Sequence, residues 1–285
     1  MTLIYAGLSL GAVYALVAIG YNLIFIASHS FNFAQAQLMM IGAFVTYMAY
    51  VKLGLSSALV IMLAMAVVAI AASIEERIAI RPVADHQTQL ITTLGFGTAL
   101  TGVAQLIWGT EPLPVPFAGG DRVLTIFGGR IFPVEVVLIA FAVVLVVAIH
   151  FYTRRFMSGL AVVAMSQDDE AATLRGVGVR KLAFAAFAIT GALSGLMGVL
   201  IGPKTYAVAT LGAALALKGF VALAIGGFGS MYGGLIGGLV VGLVEQHVAR
   251  YLGSHFTNLS VFVVLLLVLM IRPTGLFGRP QERMV

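Results

Sequence analysis

Cysteine is absent from the 285 residues. Its absence removes disulfides, thiolate nucleophiles and cysteine metal sites together. Charge is almost as scarce. Only 9% of residues are Asp, Glu, Lys or Arg, where an average soluble domain carries about a quarter. The N-terminal stretch, Met1 to Ala6, has no Lys or Arg, so the charged start of a cleaved signal peptide is missing and the first apolar run is expected to remain as a span. No nucleotide-binding signature occurs. Gly226-Gly227-Phe228-Gly229 has the look of a phosphate loop, yet it lacks the Lys-Ser/Thr ending and the preceding strand. It reads as a tight turn between helices. His29, His86, His150 and His255 show no metal-ligand spacing, so no metal site is expected.

Apolar residues fill the space that charge leaves. They make up 61% of the chain, and the mean hydropathy is +1.07. A soluble globule of this composition has too few polar groups to cover its surface. A cytosolic enzyme, a secreted domain and a disordered tail are excluded. The expected fold is an all-α polytopic membrane protein, a bundle of about eight or nine transmembrane helices with short loops, forming one domain over 1–285. Apolar runs lie near 3–26, 36–51, 56–76, 88–109, 131–152, 182–202, 211–226, 229–249 and 256–272. Arg77, Arg81, Arg154, Arg155, Arg175, Arg180, Lys181, Arg272, Arg279 and Arg283 fall on one side of such a bundle. Lys52, Arg122, Arg130, Lys204 and Arg250 fall on the other. The richer side is the cytoplasmic one. That places the N-terminus outside and the C-terminus in the cytoplasm. The net charge of +5 suits this bias better than a nucleic-acid surface, and no nucleic-acid partner is expected.

Glycine, at 33 residues, clusters late in the chain. Gly229, Gly233 and Gly237 are four apart. So are Gly234, Gly238 and Gly242, and so are Gly191 and Gly195. Small residues at this spacing let helix backbones approach in lipid. The contact is either within the chain or between subunits.

Polar residues inside apolar runs are functional suspects. Asn32, Gln35 and Gln37 sit where the first run turns into the second. They line a broken helix on a transport pathway, or they cap an ordinary cytoplasmic turn. Thr92 and Thr93 open the fourth run, either lining a pathway or bonding back to their own helix. Lys218 lies mid-run, and Glu245 lies deep in the next one. Measured from a turn near 227–229, the two are roughly 14 Å and 25 Å away at 1.5 Å per residue, so they are not expected to pair unless the hairpin is broken. Lys218 is then expected in a polar interface or at the external mouth, where it helps set an electropositive path for a carboxylate. Glu245, His247 and Arg250 read as a helix end reaching external headgroups.

The most polar loop, 154–181, holds a short helix from Ser166 to Gly176. Ser166 is a good N-cap. Asp168, Asp169 and Glu170 favour the positive end of the helix dipole, and Arg175 the negative end. Gly176 suits the left-handed position just past the helix. Two turns are marginal alone, so a packing partner is expected.

Glu170-Ala171-Ala172, three residues (Thr173, Leu174, Arg175) and Gly176 resemble the EAA-x3-G signature of ABC importer permeases. Asn32-Phe33-Ala34 with Met40-Ile41-Gly42-Ala43 resembles the first-loop signature of the LivH-type branched-chain amino acid permeases. Arg81-Pro82, Ile91-Thr92-Thr93-Leu94-Gly95, Gly226-Gly227-Phe228-Gly229-Ser230 and Arg272-Pro273-Thr274-Gly275-Leu276-Phe277-Gly278 extend the likeness over nearly the whole chain. The family commonly has His-Gly after Asn-Phe-Ala, where this chain has Gln35-Ala36. The resemblance implies the permease subunit of an ATP-driven importer in a bacterial inner membrane, with no catalytic residue of its own. It implies that the 166–176 helix docks on an ATPase. Its partners are a second, LivM-like permease chain, two ATPase subunits that bind the ATP and magnesium, and an external binding protein. The solute is small and amino-acid-like or a carboxylate, with branched-chain amino acids first. A stand-alone channel or a secondary transporter is the alternative. Both are disfavoured, because no second half-helix copy and no inverted repeat occur.

Overall fold

The computed structural model describes residues 1–28, 31–83, 85–117, 119–120, 122–126, 128–165 and 169–278. Its helices are α1 (Thr2–Ser28), α2 (Gln35–Tyr47), α3 (Ser57–Glu75), α4 (His86–Trp108), α5 (Pro133–Arg155), α6 (Met157–Met165), α7 (Asp169–Leu174), α8 (Val179–Thr205), α9 (Leu211–Gly226), α10 (Met231–Tyr251) and α11 (Thr257–Ile271). Strands β1 (Leu124–Ile126) and β2 (Gly129–Ile131) form an antiparallel hairpin in the loop before α5. Among the described residues, six helices are long and apolar enough to cross a membrane. The pair α9 and α10, bent by 119° at their break, makes a seventh if counted as one span.

The all-α architecture matches the expectation from the sequence, with two differences in the count. The run 36–51 becomes α2, 13 residues long, extended by the π-helical turn Met48–Lys52. Together they rise about 27 Å, slightly short of a hydrocarbon core of about 30 Å. The runs 211–226 and 229–249 become α9 and α10, separated as expected at Gly227, Phe228, Gly229 and Ser230, where Ser230 Oγ accepts the Gly233 amide at 3.0 Å and starts α10; counted as one bent span, they add one crossing to the six and not two.

The chain divides into two compact units. The first comprises Met1–Asn22, Arg122–Val147 and Leu217–Val285. Its central element is the first part of α1, buried without a gap from Gly11 to Asn22. A helix that is apolar on every side is one surrounded by others. It runs antiparallel to α10 with the backbones close together. A Cβ on Gly11 would lie 2.7 Å from the Leu239 Cα, and one on Gly238 would lie 2.5 Å from the Ala15 Cα. The second unit comprises Leu23–Asp121 and Ala148–Ala216. There α2 is central, buried from Gln35 to Thr46, and packs with α3, α8 and α4.

Candidate functional site

The second unit concentrates polar side chains at the start of α2. Asn32 is fully buried. Its Oδ1 accepts the Ala34 amide at 2.8 Å, and its Nδ2 donates to Glu75 Oε2 at 2.9 Å. One side chain thereby holds the turn that leads into α2 and ties it to the end of α3. Gln35 Nε2 donates to Ser194 Oγ on α8 at 2.5 Å. Thr93 is buried on α4. Its hydroxyl donates to the Leu90 carbonyl at 3.0 Å and accepts the Phe33 amide at 3.3 Å. Thr92 bonds the Ala79 carbonyl at 2.6 Å and holds α4 to the turn after α3. Gln37 fits between two glycines. A Cβ on Gly97 would meet its Cδ at 3.1 Å, and one on Gly212 its Cγ at 2.9 Å.

The structure thus gathers Asn32, Gln35 and Thr93 around one junction and places Gln37 two residues further along α2. Burial strengthens each hydrogen bond and raises the cost of each missing one. Among the described residues, Gln35 Oε1, Gln37 Oε1, Glu75 Oε1 and Glu76 Oε2 are buried without a partner. Sequence reasoning missed Glu75, Glu76 and Ser194. The signal was present: two adjacent acids close an otherwise apolar run, and a hydroxyl sits between Gly191 and Gly195.

Lys218 requires a correction. It forms an ion pair with Glu245. Tyr14 completes the group, donating to Glu245 Oε2 at 2.7 Å and accepting from Lys218 Nζ at 3.2 Å. The pairing follows from the register of α9 on α10. A Cβ on Gly237 would meet the Ala222 carbonyl, and one on Gly233 the Gly226 carbonyl. This register sets Lys218 opposite Val241, and Glu245 is one turn beyond, about 6 Å at 1.5 Å per residue. A lysine side chain spans that gap. Lys218 is therefore a neutralised charge within the first unit and not an isolated cation for a carboxylate. Glu245 belongs to the same buried group and does not reach toward headgroups.

The packing glycines also divide. Gly191 lies on the backbone of Val68 and Ala69, and Gly195 on that of Ala64 and Met65. Gly233, Gly237 and Gly238 contact α9 and α1 within the chain. Gly229 differs. A Cβ there would meet nothing within 4 Å, and its φ of +77° makes it a turn residue. Its amide donates to Asn22 Oδ1 at 2.8 Å.

In the 154–181 loop, α7 covers Asp169–Leu174. Ser166, Gln167 and Asp168 lie outside the described residues. Gly176 has φ +85°. Its amide bonds the Thr173 carbonyl at 3.0 Å, and the Val177 amide bonds the Ala172 carbonyl at 3.0 Å. These two bonds form a Schellman stop. Ala172 is buried with Met165 against Val162, Val177, Val179, Leu182 and Ala186. Leu174 and Arg175 are exposed.

Helices long and apolar enough to cross a membrane, joined by a few buried polar contacts, define a polytopic membrane protein. The family model for the branched-chain amino acid transport system permease component matches residues 3–272. The chain belongs to that family. It is 30% identical to the high-affinity branched-chain amino acid transport system permease protein LivH of Escherichia coli K12, covering 99% of this chain and 96% of the relative. It is 29% identical to BraD, the corresponding permease protein of Pseudomonas aeruginosa, over 98% and 96%. A probable branched-chain amino acid permease of Methanocaldococcus jannaschii is 27% identical over 92% and 88%. Among solved structures, PsaBC from Streptococcus pneumoniae in complex with Fab shares the fold at a TM-score of 0.54. Identity there is 12%, over 97% of this chain and 94% of that one.

Proposed function

We propose that this chain is the membrane-spanning subunit of an ATP-driven importer for small amino-acid-like or carboxylate solutes, branched-chain amino acids foremost. It pairs with a second, LivM-like permease chain. Two ATPase subunits bind ATP and magnesium and hydrolyse the nucleotide, and an external binding protein delivers the solute. The membrane is the bacterial inner membrane, with the N-terminus outside and the C-terminus cytoplasmic. The observation that carries this reading is the family match over 3–272, within which the Glu170 to Gly176 segment folds as a short helix stopped at Gly176. Its exposed Leu174, at 89%, supports a role in docking.

The test is affinity purification of the tagged chain from native membranes in mild detergent, followed by mass spectrometry. A P-loop ATPase and a second permease are expected to come along. Glu170→Ala combined with Gly176→Val is expected to release the ATPase and retain the second permease, because a branched side chain is strained at φ +85°. Recovery of the chain alone, even after cross-linking, would support a stand-alone channel or carrier instead.

A further inference from the structure

α8, 27 residues long, touches both the segment that carries Glu170 and the central helix of the second unit. At its start, Ala172 and Met165 share one apolar cluster with Val179, Leu182 and Ala186. A six-residue helix has no stability of its own, so α7 takes its position from the start of α8, on which Ala172 packs. Further along, Gly191 and Gly195 rest on α3, while a Cβ on Gly42 of α2 would lie 2.9 Å from the Gly195 carbonyl and 3.2 Å from the Gly198 Cα. Backbones in such contact repack between discrete arrangements and do not stretch.

One directional bond crosses this contact. Gln35 Nε2 donates to Ser194 Oγ at 2.5 Å, and Ser194 Oγ donates to the Thr190 carbonyl at 2.8 Å. Both residues are fully buried. Gln35 is the first residue of α2, and its amide bonds the Asn32 carbonyl at 3.2 Å. Asn32 in turn holds Glu75 at the end of α3. These bonds link α8 to the start of α2 and the end of α3 together. Packing alone does not call for this bond. Gln35 Oε1 stays unpartnered among the described residues, and an unmet buried acceptor is disfavoured relative to an apolar contact of the same shape.

We propose that Gln35 and Ser194 are positioning residues that transmit movement of the α7 and α8 segment into α2, coupling ATP hydrolysis on the partner subunit to solute passage. The proposal rests on the importer reading above. Neither residue touches solute in it. What it adds is the route within this chain.

The test uses the assembled transporter in proteoliposomes with its binding protein. Hydrolysed ATP and imported radiolabelled leucine are both measured per assembled complex. Gln35→Leu and Ser194→Ala are expected to keep ATP hydrolysis near the wild-type rate while leucine uptake falls about tenfold, so the ATP spent per leucine rises by the same factor. Ser194→Thr keeps the hydroxyl and restores the ratio. Ser194→Ala removes one oxygen and covers the case in which Gln35→Leu fails to assemble. A parallel fall of both rates would make the bond merely structural and overturn the proposal. So would unchanged uptake. If the wild-type complex hydrolyses ATP but imports none of leucine, isoleucine or valine, the substrate assignment fails separately, and the ratio is then read with whatever solute the binding protein carries.

Discussion

At the scale of single residues, the group of Lys218, Glu245 and Tyr14 makes the sharpest claim. The Lys218 and Glu245 side chains are 18% and 11% exposed. Removing one partner leaves the other charge without compensation in a poorly solvated place, which costs about 3–5 kcal/mol, whereas replacing both is often neutral. Lys218→Met alone is therefore expected to lower the melting temperature of the purified complex markedly. Lys218→Met with Glu245→Gln should recover most of the loss. An additive double variant would show that the two residues do not act as a pair. The sequence displayed both charges but not their registry. Counting residues from the turn treats α9 and α10 as starting at one point, whereas the glycine contacts offset them by several residues. Asn32, Gln35 and Thr93 were legible because polar residues are rare in apolar runs. Their partners were not, since Glu75 and Ser194 lie 43 and 159 residues away from the groups they bond.

At the scale of elements, the break between α9 and α10 is held by two distant segments. Asn22 of α1 accepts the Gly229 amide and donates to the Ser230 carbonyl at 2.9 Å. The loop after α11 supplies the Leu276 and Phe277 amides to the Ile225 and Gly226 carbonyls, both at 2.9 Å. The last carbonyls of α9 would otherwise be unmet at a helix end. Two glycine-rich motifs that looked independent in the sequence therefore form one backbone knot. A Cβ on Gly275 would lie 2.6 Å from the Gly227 Cα, at a φ of +80°. Gly275→Ala is expected to destabilise the protein by about 1–3 kcal/mol, from backbone strain and collision together. Asn22→Leu should have a similar effect by stranding two backbone groups. Unfolding of the purified complex by heat measures both, and a change within error for either variant would mean that the knot does not stabilise the break. α6, Met157–Met165, falls where the sequence read as a loop, but the long helices and their order were legible from hydropathy. The break angle and the short reach of α2 were not, because tertiary contacts set them and periodicity does not.

At the scale of the whole chain, backbone contacts bear on sidedness independently of charge. In the first unit, the Tyr5 hydroxyl donates to the Ile126 carbonyl at 3.2 Å, and the Arg130 amide donates to Thr2 Oγ1 at 3.0 Å. The N-terminus and the β1 and β2 hairpin share one level. The loop after α11 and the break after α9 share another, through Leu276 and Phe277. In the second unit, Leu113 and Ala207 exchange backbone bonds at 2.9 Å, so the loops after α4 and α8 share a side. These pairings fit a chain in which α9 and α10 each cross and the break faces the side of the C-terminus. If the pair were instead one broken span, the C-terminal loop would have to meet the break at mid-membrane depth. The absence of cysteine makes the test clean. Single variants Thr110→Cys, Ser158→Cys, Phe228→Cys and Ser254→Cys are labelled in intact spheroplasts with a membrane-impermeant maleimide. Thr110→Cys and Ser254→Cys are expected to react from outside. Ser158→Cys and Phe228→Cys should react only after permeabilisation. Labelling of Ser254→Cys and Ser158→Cys from the same side would require an even number of crossings between them, and would make α9 and α10 one interrupted span.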